Sequence, residues 1–227
     1  MHWFGKPQFR VGRLEADSIW LEYNNRKVLQ NVYIRIDKGQ IVGLLGRNGC
    51  GKSSLLEIIY GIRRARNSSV RIDGNYISSP FKHENLLSYL PQHQFVPGYL
   101  RVKEALVLYQ ANFKEAVGYF PELNELLPYR FNQLSGGQQR LIETIMVISG
   151  PASFVILDEP FSNVTPLHIE TLKTWLASLK NDKGILITDH YYRDVLAISD
   201  SVYLLNMEGR TIQLQYPAEE LRQLGYL

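Results

Sequence analysis

Between the apolar run IVGLL (Ile41–Leu45) and the stretch SSLLEIIYG, the chain carries Gly46-x-x-x-x-Gly51-Lys52-Ser53. A short unbroken apolar run reads as a strand covered on both faces. The stretch after the glycines reads as a helix stopped by Gly61. A glycine loop that joins a buried strand to a helix points to an α/β core, and the loop has a direct physical use. Its glycines let successive backbone N–H groups turn inward as an anion nest. The helix that follows points the positive end of its dipole at the same place. Lys52 adds a point charge suited to the outer phosphates of a nucleotide, and the Ser53 hydroxyl can ligate Mg2+. Gly46, Arg47, Asn48, Gly49, Cys50, Gly51, Lys52, Ser53 and Ser54 are therefore the candidate phosphate-binding residues. Such a loop serves kinases, GTPases, motors and pumps alike, so it calls for a nucleotide and leaves the chemistry open.

The rest of the chain fills in the architecture. SIWLEY (Ser18–Tyr23) and VYIRI (Val32–Ile36) alternate like half-buried strands, and Asp73-Gly74 marks a hairpin. LLSYL, FVIL and GILIT read as further strands, and SVYLL and TIQLQ as a last antiparallel pair around Glu208-Gly209. Val102–Leu127 turns helical, with Pro121 separating two pieces, and AEELRQLG reads as a short closing helix. Strands alternating with helices give the fold class: an α/β P-loop NTPase core with a mostly parallel sheet, an N-terminal antiparallel β part and an inserted, short helical subdomain. The expected organisation is an extension over 1–16 and one domain over 17–227, with the helical subdomain near 93–149. No run of about 18 apolar residues occurs, and the closest, TIMVISGPASFVIL, is broken by Gly150 and Pro151. No signal segment is evident at the start. The one cysteine, Cys50, excludes an intramolecular disulfide; the mild net charge of +3 makes no strong case for a nucleic-acid or membrane-surface partner, and no nucleic acid is expected. A soluble chain of a reducing compartment is expected. Cys50 lies beside Lys52 and a helix start, which together should favour its thiolate.

Two further stretches narrow the chemistry. FVILDEP ends a buried strand on Asp158 and Glu159. Ligands of open α/β sheets bind at that edge, so Asp158 can share a Mg2+ shell with Ser53, and Glu159 can polarise a water aimed at the γ-phosphate. A second acid beside the metal-site aspartate favours hydrolysis over transfer to a hydroxyl. Then LSGGQ (Leu134–Gln138) opens an amphipathic helix, QQRLIETIMVIS. Ser135 is a natural N-cap, and Gly136 and Gly137 leave the first N–H groups uncovered. One nucleotide has one γ-phosphate, which the first loop already cradles, so this helix start is expected to face a nucleotide held by another copy.

LSGGQ together with GRNGCGKSS and VILDEP resembles the ATP-binding cassette (ABC) ATPases, and other marks of that family fall in order along residues 17 to 224. Tyr23 stands where an aromatic stacks on adenine, Gln92 ends a strand entering the helical subdomain, and His190 ends the strand after the acidic pair. Taken alone, Tyr23 reads as a strand aromatic, Gln92 as a loop residue and His190 as a structural histidine; their order carries the weight. The resemblance implies Glu159, His190 and Lys52 as catalytic residues, and Ser53, Gln92 and Asp158 around Mg2+. It implies Tyr23, the phosphate loop, Gln92, Ser135, Gly136, Gly137 and Gln138 around ATP. It further implies a head-to-tail pair of ATPase subunits, most simply a homodimer, and a separate integral membrane transporter subunit that holds the chain at the inner face of the membrane. The alternative is an ABC ATPase of translation or DNA repair, against which stand the single cassette and the absence of a long heptad run. The closing stretch is similar to the compact ATPases of branched-chain amino-acid uptake and lipopolysaccharide export. The chain departs from the pattern at Thr165, where an aspartate is expected in the dimer-interface loop, in a short Gln92–Leu134 stretch, and in the N-terminal extension, where a partner contact is the sharper alternative to a mobile tail.

Overall fold

A computed structural model describes residues 12–24 and 26–226. Two long antiparallel strands come first, β1 (Arg13–Tyr23) and β2 (Arg26–Asp37). The first strand starts inside the stretch expected to precede it. Its alternation changes phase midway: Leu14 and Ala16 are buried, then Ile19 and Leu21, and the pairing with β2 shifts between Ala16 and Ile19. The bulge centres on Ser18, whose φ is 53°. Of the 1–16 stretch expected as an extension, residues 1–11 lie outside the described residues, and 13–16 belong to β1.

The buried run is β3 (Ile41–Leu45), and the glycine loop leads into α1 (Lys52–Tyr60), which Gly61 caps. β4 (Asn67–Ile72) and β5 (Asn75–Tyr76) form the hairpin around Asp73-Gly74, and β6 (Leu87–Leu90) follows. The helical subdomain contains α2 (Val102–Leu108), α3 (Phe113–Tyr119) and α4 (Leu123–Leu126), three short helices rather than two pieces. The extra break falls at Gln110, in the left-handed region at φ 53°, with no proline to announce it. Then come α5 (Gly136–Ser149), β7 (Phe154–Asp158), α6 (Pro166–Leu179), β8 (Gly184–Thr188) and α7 (Tyr192–Ile198). β9 (Ser201–Leu205), β10 (Thr211–Leu214) and α8 (Pro217–Gln223) complete the described chain.

Among the described residues the strands form two sheets. An antiparallel one runs β2-β1-β4-β5, and the other runs β10-β9-β3-β8-β7-β6, parallel apart from β10. Alternation explains why β3, β7 and β8 are buried at every position. Val42, Leu44, Ile156 and Leu186 pack toward α1 and the antiparallel sheet, while Ile41, Leu45, Val155, Leu157, Ile185 and Ile187 join the core shared with α5 and α6. The C-terminal ends of β3, β6, β7 and β8 thus converge on one edge, each carrying a candidate residue just beyond it. No helix among the described residues is long and apolar enough to cross a membrane.

Candidate nucleotide site

Along that edge lies an open cleft of about 600 Å³, walled by Tyr23, Asn48–Ser54, Gln92, Glu159 and His190, with Lys27 and Met207 at its margin. Gly51 caps α1 at φ 107°, a conformation that costs glycine little, and a Cβ there would stand 3.0 Å from Val28 Cγ1. Lys52 is buried, and its Nζ donates to the carbonyls of Gly46 at 2.7 Å and Arg47 at 3.3 Å. The lysine therefore braces its own loop and has its charge ready at the loop's mouth. Tyr192 donates its hydroxyl to Gly46 O (2.9 Å), a support with no mark in the sequence.

Burial reverses the expectation for Cys50. Lys52 and nearby backbone donors do favour the thiolate, but the side chain is 4% exposed, and desolvation outweighs them and pushes the thiol up. Its backbone N–H donates to Arg47 O at 3.2 Å, so the residue helps to close the loop.

Asp158 ends β7 almost fully buried. Desolvation pushes its carboxyl up to about 6; the neighbouring Ser53 hydroxyl pulls the other way, Glu159 raises it further, and Arg140 and Lys52 lower it. Tyr89 donates its hydroxyl to Oδ2 at 3.4 Å, and Oδ1 has no hydrogen-bond partner. An orphaned carboxylate oxygen beside a serine hydroxyl fits a hard divalent cation. Among the described residues no cluster of His, Cys, Asp and Glu could hold a metal alone, so a cation here would complete its shell with phosphate oxygens and water.

The sign of the Asp158 shift gives a test. A carboxyl raised above its unfolded value adds stability at acid pH that is lost as pH rises through about 6. Asp158→Asn should stabilise the nucleotide-free fold by roughly 2–3 kcal/mol at pH 8. Denaturant melts of both proteins should show that advantage shrinking toward pH 5; an advantage independent of pH would refute the assignment.

Glu159 carries the densest set of contacts. Its backbone is left-handed, φ 59°, fixed by Glu159 N–H donating to Thr188 O at 2.7 Å. Gln92 Nε2 donates to Oε1 at 3.0 Å, His190 Nε2 lies 2.7 Å from the same oxygen, and Ser162 Oγ donates to Oε2 at 3.3 Å. Residues from the ends of β6, β7 and β8 therefore meet at one carboxylate, 7% exposed, on the wall of the cleft. Tyr23 also lines the cleft, 45% exposed. Arg63, unremarked in the sequence, donates to its hydroxyl and lies 5.9 Å over its ring.

Ser135, Gly136, Gly137 and Gln138 are not brought to this cleft. Ser135 Oγ accepts from Gln138 N–H at 3.2 Å and Gln138 Oε1 accepts from Ser135 N–H at 2.9 Å, a reciprocal cap. Gly137 has a local reason: a Cβ would stand 2.3 Å from Asn163 O in the loop after Glu159. Gly136 has none, with open space where a Cβ would go. Thr165, in place of the expected aspartate, caps α6 by accepting from His168 N–H at 3.4 Å.

Comparison with known proteins places these features among relatives. The family model described as "ABC transporter" matches residues 29–162. The lipopolysaccharide export system ATP-binding protein LptB of Escherichia coli is 31% identical over 228 residues, 93% of this chain and 94% of that one. LptB of Haemophilus influenzae is also 31% identical, over 91% of each chain. Among solved structures, an ATP-binding subunit of an ABC transporter superposes with a TM-score of 0.80 at 25% identity, covering 94% of this chain and 93% of the other. A bacterial Atm1-family ABC exporter with ATP bound shares the fold at a TM-score of 0.81 and 16% identity, over 94% of this chain and 40% of the exporter.

Proposed function

The chain belongs to the ABC transporter family of ATPases, and from that premise we propose that it hydrolyses ATP as one of two head-to-tail subunits driving separate membrane-spanning chains. The observation that carries the proposal is the Glu159 carboxylate, ringed by Gln92, His190 and Ser162 on the wall of the cleft that holds the phosphate loop.

Tyr23 stacks on the adenine. Backbone N–H groups of Gly46–Ser54 and the Lys52 ammonium hold the phosphates. Ser53 and Asp158, with Gln92 toward the cleft, would hold Mg2+, which when bound offsets charge on the phosphate oxygens. Glu159 takes a proton from the attacking water, and His190 and Gln92 orient the water and sense the γ-phosphate. Ser135, Gly136, Gly137 and Gln138 of a second copy meet that phosphate from outside; the open space at Gly136 suits such an approach. Closure around the γ-phosphate does the work and hydrolysis resets it.

The membrane partner would dock where the helical subdomain meets the core, over a groove of about 500 Å³ lined by Tyr60, Phe81, Leu108, Tyr109 and Met146. Val107, Leu108 and Tyr109 form an exposed apolar run at the end of α2, with Leu108 66% exposed, a contiguous patch suited to a partner. Docking keeps the chain at the cytoplasmic face of the membrane through its partner. Leu108→Glu should leave folding and ATP affinity unchanged but release the tagged protein from the membrane fraction and from its integral membrane partner. A native protein recovered with ribosomes or DNA instead would overturn the transport reading.

A further inference from the structure

Two charged residues of α5 are buried, and no step above uses them. Arg140 is 5% exposed and Glu143 0%. A buried guanidinium needs hydrogen-bond partners, and each of its three nitrogens donates to a main-chain carbonyl. Arg140 Nε donates to Glu159 O at 3.0 Å, Nη1 to Pro91 O at 2.7 Å, and Nη2 to Asp158 O. Glu143 Oε1 accepts from Phe95 N–H at 3.0 Å and Val96 N–H at 3.2 Å, and its Oε2 lies 3.8 Å from Arg140 Nη1. One helix therefore holds the Gln92 loop from both sides, by the carbonyl before Gln92 and the amides after it. The same helix holds the two carbonyls that carry the acidic pair.

We propose that Arg140 and Glu143 are positioning residues that set Gln92 and Glu159 relative to each other and tie both to the helix that begins at Ser135. The proposal rests on reading Glu159 as the base. The guanidinium is planar, with donors in a fixed fork, so the carbonyls it binds cannot move independently. Phe95 also packs edge-on against Tyr109 of the proposed docking groove, at 5.3 Å between ring centres. A displacement at the groove, or at Ser135–Gly137 when a second copy's nucleotide arrives, is thus passed by α5 to the Glu159 carboxylate. The site at which this chain supplies the base is mechanically linked to the site at which it supplies the helix start.

The test uses the full chain, measuring steady-state ATP hydrolysis, equilibrium affinity for a non-hydrolysable ATP analogue, and thermal melting. Lysine keeps the charge of Arg140 but not the fork. Arg140→Lys should lower kcat by about tenfold while KM and analogue affinity stay within about threefold. Glu143→Gln, which keeps an acceptor for Phe95 and Val96, should lower kcat by about threefold with the same split. A kcat for Arg140→Lys within about twofold of wild type overturns the proposal. So does a parallel loss of kcat, affinity and melting temperature, the mark of a merely structural residue. Should Arg140→Lys not fold, Glu143→Gln decides by the same criteria. Glu159→Gln is the control: if it is fully active, the base assignment itself has failed, whereas an inactive Glu159→Gln beside a normal Arg140→Lys sinks only the brace.

Discussion

Glu159→Gln is expected to leave ATP binding intact and to lower kcat by about 10²–10³-fold, the worth of a positioned general base. The substitution is close to isosteric. A glutamine can still accept from the Gln92 amide through its oxygen and can donate its own NH2 to the Ser162 hydroxyl, and it changes neither the left-handed backbone at φ 59° nor the bond to Thr188 O. What it removes is the ability to take a proton from water. Affinity for ATP should therefore stay within a few-fold, and the closed, nucleotide-loaded pair of chains should accumulate. Gel filtration with Mg2+ and ATP would show a dimer that persists, where the wild type returns to monomers as ATP is spent. A variant that hydrolyses ATP above about a tenth of the wild-type rate would show that another group takes the proton.

Residues that form the wall of the cleft were legible because fixed spacing marks them. The glycine loop, the acid pair after FVIL, Gln92 after β6 and His190 after β8 all follow largely apolar strands whose parallel pairing brings their C-terminal ends to one edge. What the sequence hid depends on the third dimension. Arg140 sits in a helix whose pattern reads as amphipathic, and an arginine there reads as solvated; nothing local says that three carbonyls surround it. Cys50 has favourable charges as sequence neighbours, but the burial that overrides them comes from the fold. Arg63 reaches Tyr23 across the turn after α1, a contact between residues 40 apart in the chain. The early start of β1 was masked by its own bulge, since a strand that changes phase at Ser18 shows two half-patterns instead of one. In each case the missing information is a long-range contact or an irregular φ, which periodicity does not carry.

Lys52→Ala and Ser135→Arg should each be nearly inactive alone, yet recover activity when mixed. Lys52→Ala loses the ammonium at the loop's mouth and the bonds that brace Gly46 O and Arg47 O. Losing charge-assisted bonds worth about 1.5–3 kcal/mol each should lower ATP affinity by at least about tenfold to a hundredfold. Ser135→Arg leaves every residue of the cleft wall unchanged, because Ser135 is no part of it. It breaks the cap of α5 and puts a bulky side chain where a second copy's γ-phosphate would approach, at a serine that is exposed in the single chain. If each site is built from the loop of one chain and the helix start of the other, a mixed dimer holds one doubly damaged site and one intact site. With random pairing at equal concentrations, half the dimers are mixed, so up to about a quarter of the wild-type number of sites should be restored. The recovered rate should fall on dilution, as dimers separate. A mixture no more active than the sum of its parts would mean that each chain completes its own site. In that case LSGGQ would be only a well-capped helix start, held by its contact with Asn163, and the two-chain reading of the cleft would be wrong.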